Sequence, residues 1–242
     1  MLVAGHRGVR VGAPENTMEA FLMAVEAGVD MIETDTHMTK DGVIILMHDH
    51  TVDRTTSGTG LIRDLTYAEI KAIGPDVPTL EEFLEGTKQF EKLTYNFELK
   101  DYPADDEEWA WESMRKTIDL VEKYNLADRC VINSFSGKLL EKVDSEYNHK
   151  YKLHGFYPFS ALGEYDGNPM EYLFCACLWG KPAYGVDEWY KILSENGVEP
   201  WVGASVKTAE DLRQAAMMGA KLVTTDDPAQ TLRYLREMGL HE

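Results

Sequence analysis

Asp30-Met31-Ile32-Glu33-Thr34-Asp35-Thr36 reads as a β-strand that ends in two carboxylates. Successive strand side chains point to opposite faces, so Glu33 and Asp35 share one. A second β-rich run, at 93–99, ends in the same manner, with Glu98 and Lys100 on one face. The chain opens on a third, at 2–6, which runs into His6-Arg7-Gly8. Working outward, further β-rich runs at 130–135, 151–157, 172–178, 200–206 and 221–225 alternate with helix-like segments. Eight strands with helical spacers predict an α/β fold, a TIM (β/α)8 barrel.

Helix ends are marked at Pro78-Thr79-Leu80-Glu81-Glu82, from Thr208-Ala209-Glu210-Asp211 to Gly219, and from Asp227-Pro228 to Gly239. Trp111, Met114, Ile118 and Val121 fall at helical spacing within 107–124 and predict the core face of an outer helix. One stretch breaks the alternation. Thr36 to Asp49 holds a Lys40-Asp41-Gly42 turn between two β-rich arms, and residues 50–90 read as polar loops with two short helical pieces. A hairpin and small insertion after the second strand, at about 36–90, would fold His48 back over the barrel end where Glu33 and Asp35 emerge. With no repeat or low-complexity linker, 1–242 reads as a single domain.

The 242 residues, 44% hydrophobic, suffice for the core of one barrel. A net charge of −18 argues against a nucleic-acid partner and against stable association with an anionic membrane. It also repels a phosphate, so any attraction must be local. Three carboxylates with a divalent ion sum to about −1, and Arg7 and Lys100 bring the cluster to about +1. Cys130, Cys175 and Cys177 are odd in number and lack C-x-x-C spacing, so buried reduced thiols and a reducing compartment are expected. No charged-then-apolar segment precedes Leu2, and the longest apolar run, Tyr172 to Trp179, is too short to span a bilayer. The expectation is a cytoplasmic protein; its oligomeric state is not readable.

Barrel chemistry sits at the carboxyl ends of strands, where His6, Glu33, Asp35, Glu98 and Lys100 all fall. A lone histidine after a strand is usually structural, but two histidines beside three carboxylates point to catalysis. The all-oxygen ligand set suits Mg2+ or Ca2+ rather than zinc.

Gly5-His6-Arg7-Gly8, Pro14-Glu15-Asn16-Thr17, Glu33-Thr34-Asp35, Thr39-Lys40-Asp41-Gly42, His48-Asp49, Asp53-Arg54-Thr55-Thr56, Pro78-Thr79-Leu80-Glu81-Glu82 and Glu98-Leu99-Lys100 together resemble the glycerophosphodiester phosphodiesterases. Weaker matches follow at Ser134-Phe135 and at Thr225-Asp226 before Pro228. The resemblance implies a TIM barrel with a small insertion, a divalent cation, and hydrolysis of glycerophosphodiesters to glycerol 3-phosphate and an alcohol. Carried over by position, Glu33, Asp35 and Glu98 would hold the metal, His6 and His48 would be general acid and base, and Arg7 and Lys100 would bind phosphate oxygens. Glu15 matches an acidic residue beside the metal cluster, where it would bond Arg7 or a metal-bound water. Asn16 is open between a site role and a helix cap, since Glu19 follows three residues on. Asp49 reads as an orienting partner of His48.

One departure stands out: many family members carry W-T-V-N on the seventh strand, where this chain has Ala204-Ser205-Val206-Lys207. Phe156, Tyr157, Phe159 and Trp179 are candidates to supply the missing aromatic wall. The departure also admits a lysophospholipase D-type enzyme for a bulkier substrate. A third reading is a non-catalytic barrel that binds phosphorylated ligands.

Overall fold

The computed structural model describes residues 1–179 and 186–242. Its strands are β1 (Leu2–His6), β2 (Met31–Met38), β3 (Ile44–Leu46), β4 (Thr94–Leu99), β5 (Cys130–Asn133), β6 (Lys152–Tyr157), β7 (Cys175–Leu178), β8 (Glu199–Val202) and β9 (Leu222–Thr225). The helices are α1 (Met18–Ala27), α2 (Tyr67–Ile73), α3 (Leu80–Thr87), α4 (Glu107–Lys123), α5 (Gly137–Glu146), α6 (Pro169–Tyr172), α7 (Asp187–Glu195), α8 (Ala209–Met218) and α9 (Pro228–Glu237). Setting β3 aside, the strands pair in parallel from β1 and β2 around to β9, which returns to β1. That is a closed eight-stranded barrel, and each of the eight β-rich runs supplies one strand. β3 pairs antiparallel with the end of β2, Thr36 opposite Leu46, and makes the hairpin read at Lys40-Asp41-Gly42.

Local chemistry fixes the element ends. Thr79 and Thr208 each accept from the backbone N–H three residues on, and Glu82 and Asp211 bond back to close capping boxes. Gly219 ends α8 at φ +103°, a left-handed conformation that glycine adopts without penalty. β7 begins at Cys175, later than the apolar run suggested, because Asn168-Pro169 starts the turn α6. α4 buries Met114, Ile118 and Val121, as its spacing predicts. Trp111 stays half-buried, with the Lys142 ammonium 5.6 Å from its ring.

Most of the core lies between sheet and helices. Inside the barrel a second cluster, Ala4, Met31, Val131, Cys175, Trp201 and Leu222, plugs the amino-terminal end of the strands. Two residues further along those strands stand His6, Glu33, Asn133 and Thr224, on the same inward face. The interior is therefore apolar at one end and polar at the other. The insertion has its own small core of Ile45, Met47, Val52, Ile62, Ile70 and Val77. All three cysteines are free and buried. Burial pushes the Cys130 and Cys177 thiols up to about 12, which leaves them unreactive. Among the described residues no helix is long and apolar enough to cross a membrane.

Candidate active site

The site starts from a tight turn. After His6 the chain passes through Arg7 at φ +54° and Gly8 at φ +81°, both left-handed. At Gly8 a Cβ would lie 2.6 Å from the backbone of Ala20, so only glycine fits. The turn presents the Arg7 N–H to Glu33 Oε2, to which it donates at 3.0 Å. The Arg7 guanidinium donates to Glu15 Oε1 at 2.8 Å, with its Nε 3.3 Å from Asp35 Oδ2.

Asn16 is not the cap of α1. Thr17 takes that place, its hydroxyl accepting from the Ala20 N–H at 3.2 Å. Asn16 sits at φ +55° and turns its amide inward, donating to Asp35 Oδ2 at 2.8 Å and accepting from the Thr34 hydroxyl at 2.8 Å. A left-handed asparagine is common, and here it frees the side chain to fix Asp35.

Glu33, Asp35 and Glu98 are buried, and each brings an oxygen within 4.8 Å of the others. Lys100 donates to Glu98 Oε1 at 2.6 Å and stands 3.2 Å from Asp35 Oδ1. Burial, then repulsion from Asp35, pushes the Glu33 carboxyl up to about 8. Glu98 is raised as well, by burial above all. Burial would lift Asp35 too, but Lys100 and then Arg7 hold it below the usual carboxylate range. Three buried acids thus share two cations, and Asp35 Oδ1 accepts no hydrogen bond. Oxygen donors with unmet negative charge fit a hard divalent cation.

The two histidines meet this cluster in different settings. His6 Nδ1 lies 2.6 Å from Asp226 Oδ1, and its Nε2 is 4.0 Å from Glu33 Oε2. Burial would depress His6, but the Asp226 bond and Glu33 raise it above the ordinary histidine value. His48 is lowered, by burial and then by the Lys100 charge. Its Nδ1 pairs with Asp49 Oδ1 at 2.7 Å, and Arg54 holds Asp49 from behind at 2.7 Å. Asp49 therefore faces His48 and not the carboxylate cluster.

Sequence reading gave no role to several residues here. Asp226 entered only as a weak motif match, although β9 lies beside β1 once the barrel closes. His37 was also missed: its Nδ1 is 2.8 Å from Asp101 Oδ1 and its Nε2 3.4 Å from the His48 carbonyl oxygen. Its one signal is a histidine and an aspartate near the ends of neighbouring strands.

A cavity of about 690 Å³ opens on the cluster. Phe135, Phe156, Trp179 and Ala204 form part of its wall, and His48 stands at its edge. Phe156 stacks on Phe135 at 3.5 Å between ring centres, and Trp179 meets Phe135 edge-on at 4.9 Å. Tyr157 and Phe159 do not line it; they pack on one another at 5.0 Å, and Tyr157 on Trp189. The expected replacement wall is thus Phe156 and Trp179, with Phe135 added. On the far side of His48 a second cavity, about 1020 Å³, is bordered by Arg10, Glu15, Arg54 and Lys207.

The sequence profile of the glycerophosphoryl diester phosphodiesterase family matches residues 6–169. A glycerophosphodiester phosphodiesterase of Caldanaerobacter subterraneus subsp. tengcongensis is 33% identical over 98% of this chain and 99% of its own length. A solved glycerophosphodiester phosphodiesterase from Parabacteroides distasonis superposes with a TM-score of 0.81 at 24% identity, covering 98% of both chains. An Oleispira antarctica phosphodiesterase, solved in complex with the product sn-glycerol-3-phosphate, does so with a TM-score of 0.81 at 19% identity, over 98% of this chain and 97% of its own. At those identities the two structures speak to the fold.

Proposed function

The chain belongs to the glycerophosphoryl diester phosphodiesterase family and hydrolyses glycerophosphodiesters to glycerol 3-phosphate and an alcohol, and we propose that it does so by two-histidine acid–base catalysis beside a divalent cation. Glu33, Asp35 and Glu98 would hold Mg2+ or Ca2+, which supplies charge stabilisation for the phosphoryl oxygens when bound. His6, biased towards its protonated form and oriented by Asp226, gives its proton to the departing alkoxide. His48, biased towards its neutral form, takes the proton of the nucleophile, either water or a glycerol hydroxyl whose cyclic phosphate water then opens. Arg7 and Lys100 bind the non-bridging phosphate oxygens. Glu15 holds the Arg7 fork, and Asn16 holds Asp35. The observation that carries this reading is the pair of oppositely biased imidazoles around one buried carboxylate cluster.

The partners are small glycerophosphodiesters of lipid and glycerol metabolism, without nucleic acid. Three unpaired buried thiols support a reducing, cytoplasmic setting. The apolar wall and the opening at Ala204 favour a second reading, a lysophospholipase D-type activity on a bulkier diester. One experiment separates them: turnover of glycerophosphocholine, glycerophosphoethanolamine, glycerophosphoglycerol and lysophosphatidylcholine with Mg2+, Ca2+ or chelator. Chelator-sensitive release of glycerol 3-phosphate is expected. Turnover that survives full chelation would overturn the cation role, and turnover of the lysolipid alone would favour the second reading.

A further inference from the structure

Beside the carboxylate cluster, three side-chain atoms are buried without a hydrogen-bond partner: Asn96 Oδ1, Asn133 Oδ1 and His154 Nε2. All three residues line the cavity that contains Glu33 and Glu98. Strand register places them together. Asn96 precedes Glu98 by two residues on β4, Asn133 lies beside Glu98 across β4 and β5, and His154 lies beside Asn133 across β5 and β6.

The Asn96 amide donates to His154 Nδ1 at 3.1 Å, which puts the one ring proton on Nε2. Full burial keeps this imidazole neutral, its pKa pushed down to about 3. The unpartnered buried atoms of the floor are thus one N–H donor and two carbonyl acceptors, and the Asn133 NH2 adds donors beside them, all uncharged. Beneath them is the apolar plug with Val131 and Trp201, so the group they await must come from the cavity. An anion is served higher up by Arg7 and Lys100. Neutral donors and acceptors side by side match hydroxyl groups, which donate and accept at once.

We propose that Asn96, Asn133 and His154 form a hydroxyl-recognition floor that takes the glycerol end of the phosphodiester, leaving the departing alcohol to face the outer cavity beyond His48. This assignment rests on the hydrolytic reading above. Substrate choice on the glycerol side is then set by hydrogen bonding to these three residues, while the aromatic wall accommodates carbon.

The test compares two ligands with the same phosphate and carbon chain. Glycerol 3-phosphate and propyl phosphate are titrated by calorimetry into the Mg2+-loaded protein, as wild type, Asn133→Leu, His154→Leu and His154→Gln, with thermal melts to check folding. Wild type should bind glycerol 3-phosphate about 10- to 100-fold more tightly than propyl phosphate. Asn133→Leu and His154→Leu should bring that ratio towards one, and His154→Gln, which restores an N–H donor, should recover most of it. If His154→Leu does not fold, Asn133→Leu and His154→Gln still decide. A wild-type ratio near one, or a ratio unmoved in Asn133→Leu, would overturn the proposal and leave the floor to buried water. Turnover is scored separately. Hydrolysis with no hydroxyl discrimination removes this inference alone, and discrimination without hydrolysis removes the catalytic reading alone.

Discussion

Asp226 shows how one contact sets a residue's chemistry. Its carboxylate, held down to about 2 by the His6 bond against the effect of burial, is bonded to Nδ1 and leaves Nε2 as the ring atom toward Glu33. In the proposed mechanism it would be a positioning residue, holding the ring orientation of His6 through Nδ1. Asp226→Asn should therefore lower kcat about 10- to 100-fold while KM changes less than about threefold. Steady-state kinetics on glycerophosphocholine checks the split, and a rise in KM at constant kcat would place Asp226 in binding. At this scale the sequence was legible where chemistry clusters locally. His6, Glu33, Asp35, His48, Glu98 and Lys100 announce themselves by spacing at strand ends. Asp226 does not, because 220 positions separate it from His6 and barrel closure alone makes them neighbours. Asn133 and His154 are silent for a related reason: inside a strand, nothing local says that an inward face will be polar.

Among the elements, the eight strands could be read because each carries its apolar run between helix signals. A reading stayed open where two rules competed. Asn16 and Thr17 both suit a cap, and the left-handed backbone at Asn16 gives the cap to Thr17. The turn after β1 is tightly constrained. Gly8→Ala adds a methyl 2.6 Å from the Ala20 backbone at a left-handed φ, so it should cost about 1–3 kcal/mol, seen as a lower urea midpoint. An unchanged midpoint would mean that the turn relaxes freely. The insertion is tied to the β1–α1 loop by Arg54, which donates to Glu15 at 2.6 Å and Asp49 at 2.7 Å. Burial would raise Glu15, but Arg54 and then Arg7 hold it down to about 2. Arg54 likewise lowers Asp49. Depressed carboxylates contribute stability that is complete above their unfolded pKa, about 4, and is lost as pH falls through the folded value. The melting temperature of Arg54→Ala should thus fall below wild type at pH 6, with the gap closing between about pH 4 and pH 2. A gap constant over that range would show that Arg54 acts through packing alone.

Over the whole molecule, a net charge of −18 surrounds a site built to receive a phosphate. The positive groups that offset it are local: Arg7 and Lys100 are buried in the cluster, and Arg10, Arg54 and Lys207 border the outer cavity. At low ionic strength, where the Debye length is about 30 Å, an approaching anion feels the net field before it feels the site. Near physiological salt the length shrinks to about 8 Å, the net repulsion is screened, and the short-range contacts in the cavity remain. The substrate's charge therefore decides the sign of the salt effect. Glycerophosphoglycerol carries one net negative charge and glycerophosphocholine none. The ratio of their kcat/KM values should rise in favour of glycerophosphoglycerol as NaCl goes from about 10 to 150 mM, by roughly two- to fivefold. The zwitterion controls for salt effects on folding and chemistry, since both substrates meet the same enzyme. A ratio that falls with salt would show that the cations around the mouth, and not the net charge, steer substrate approach.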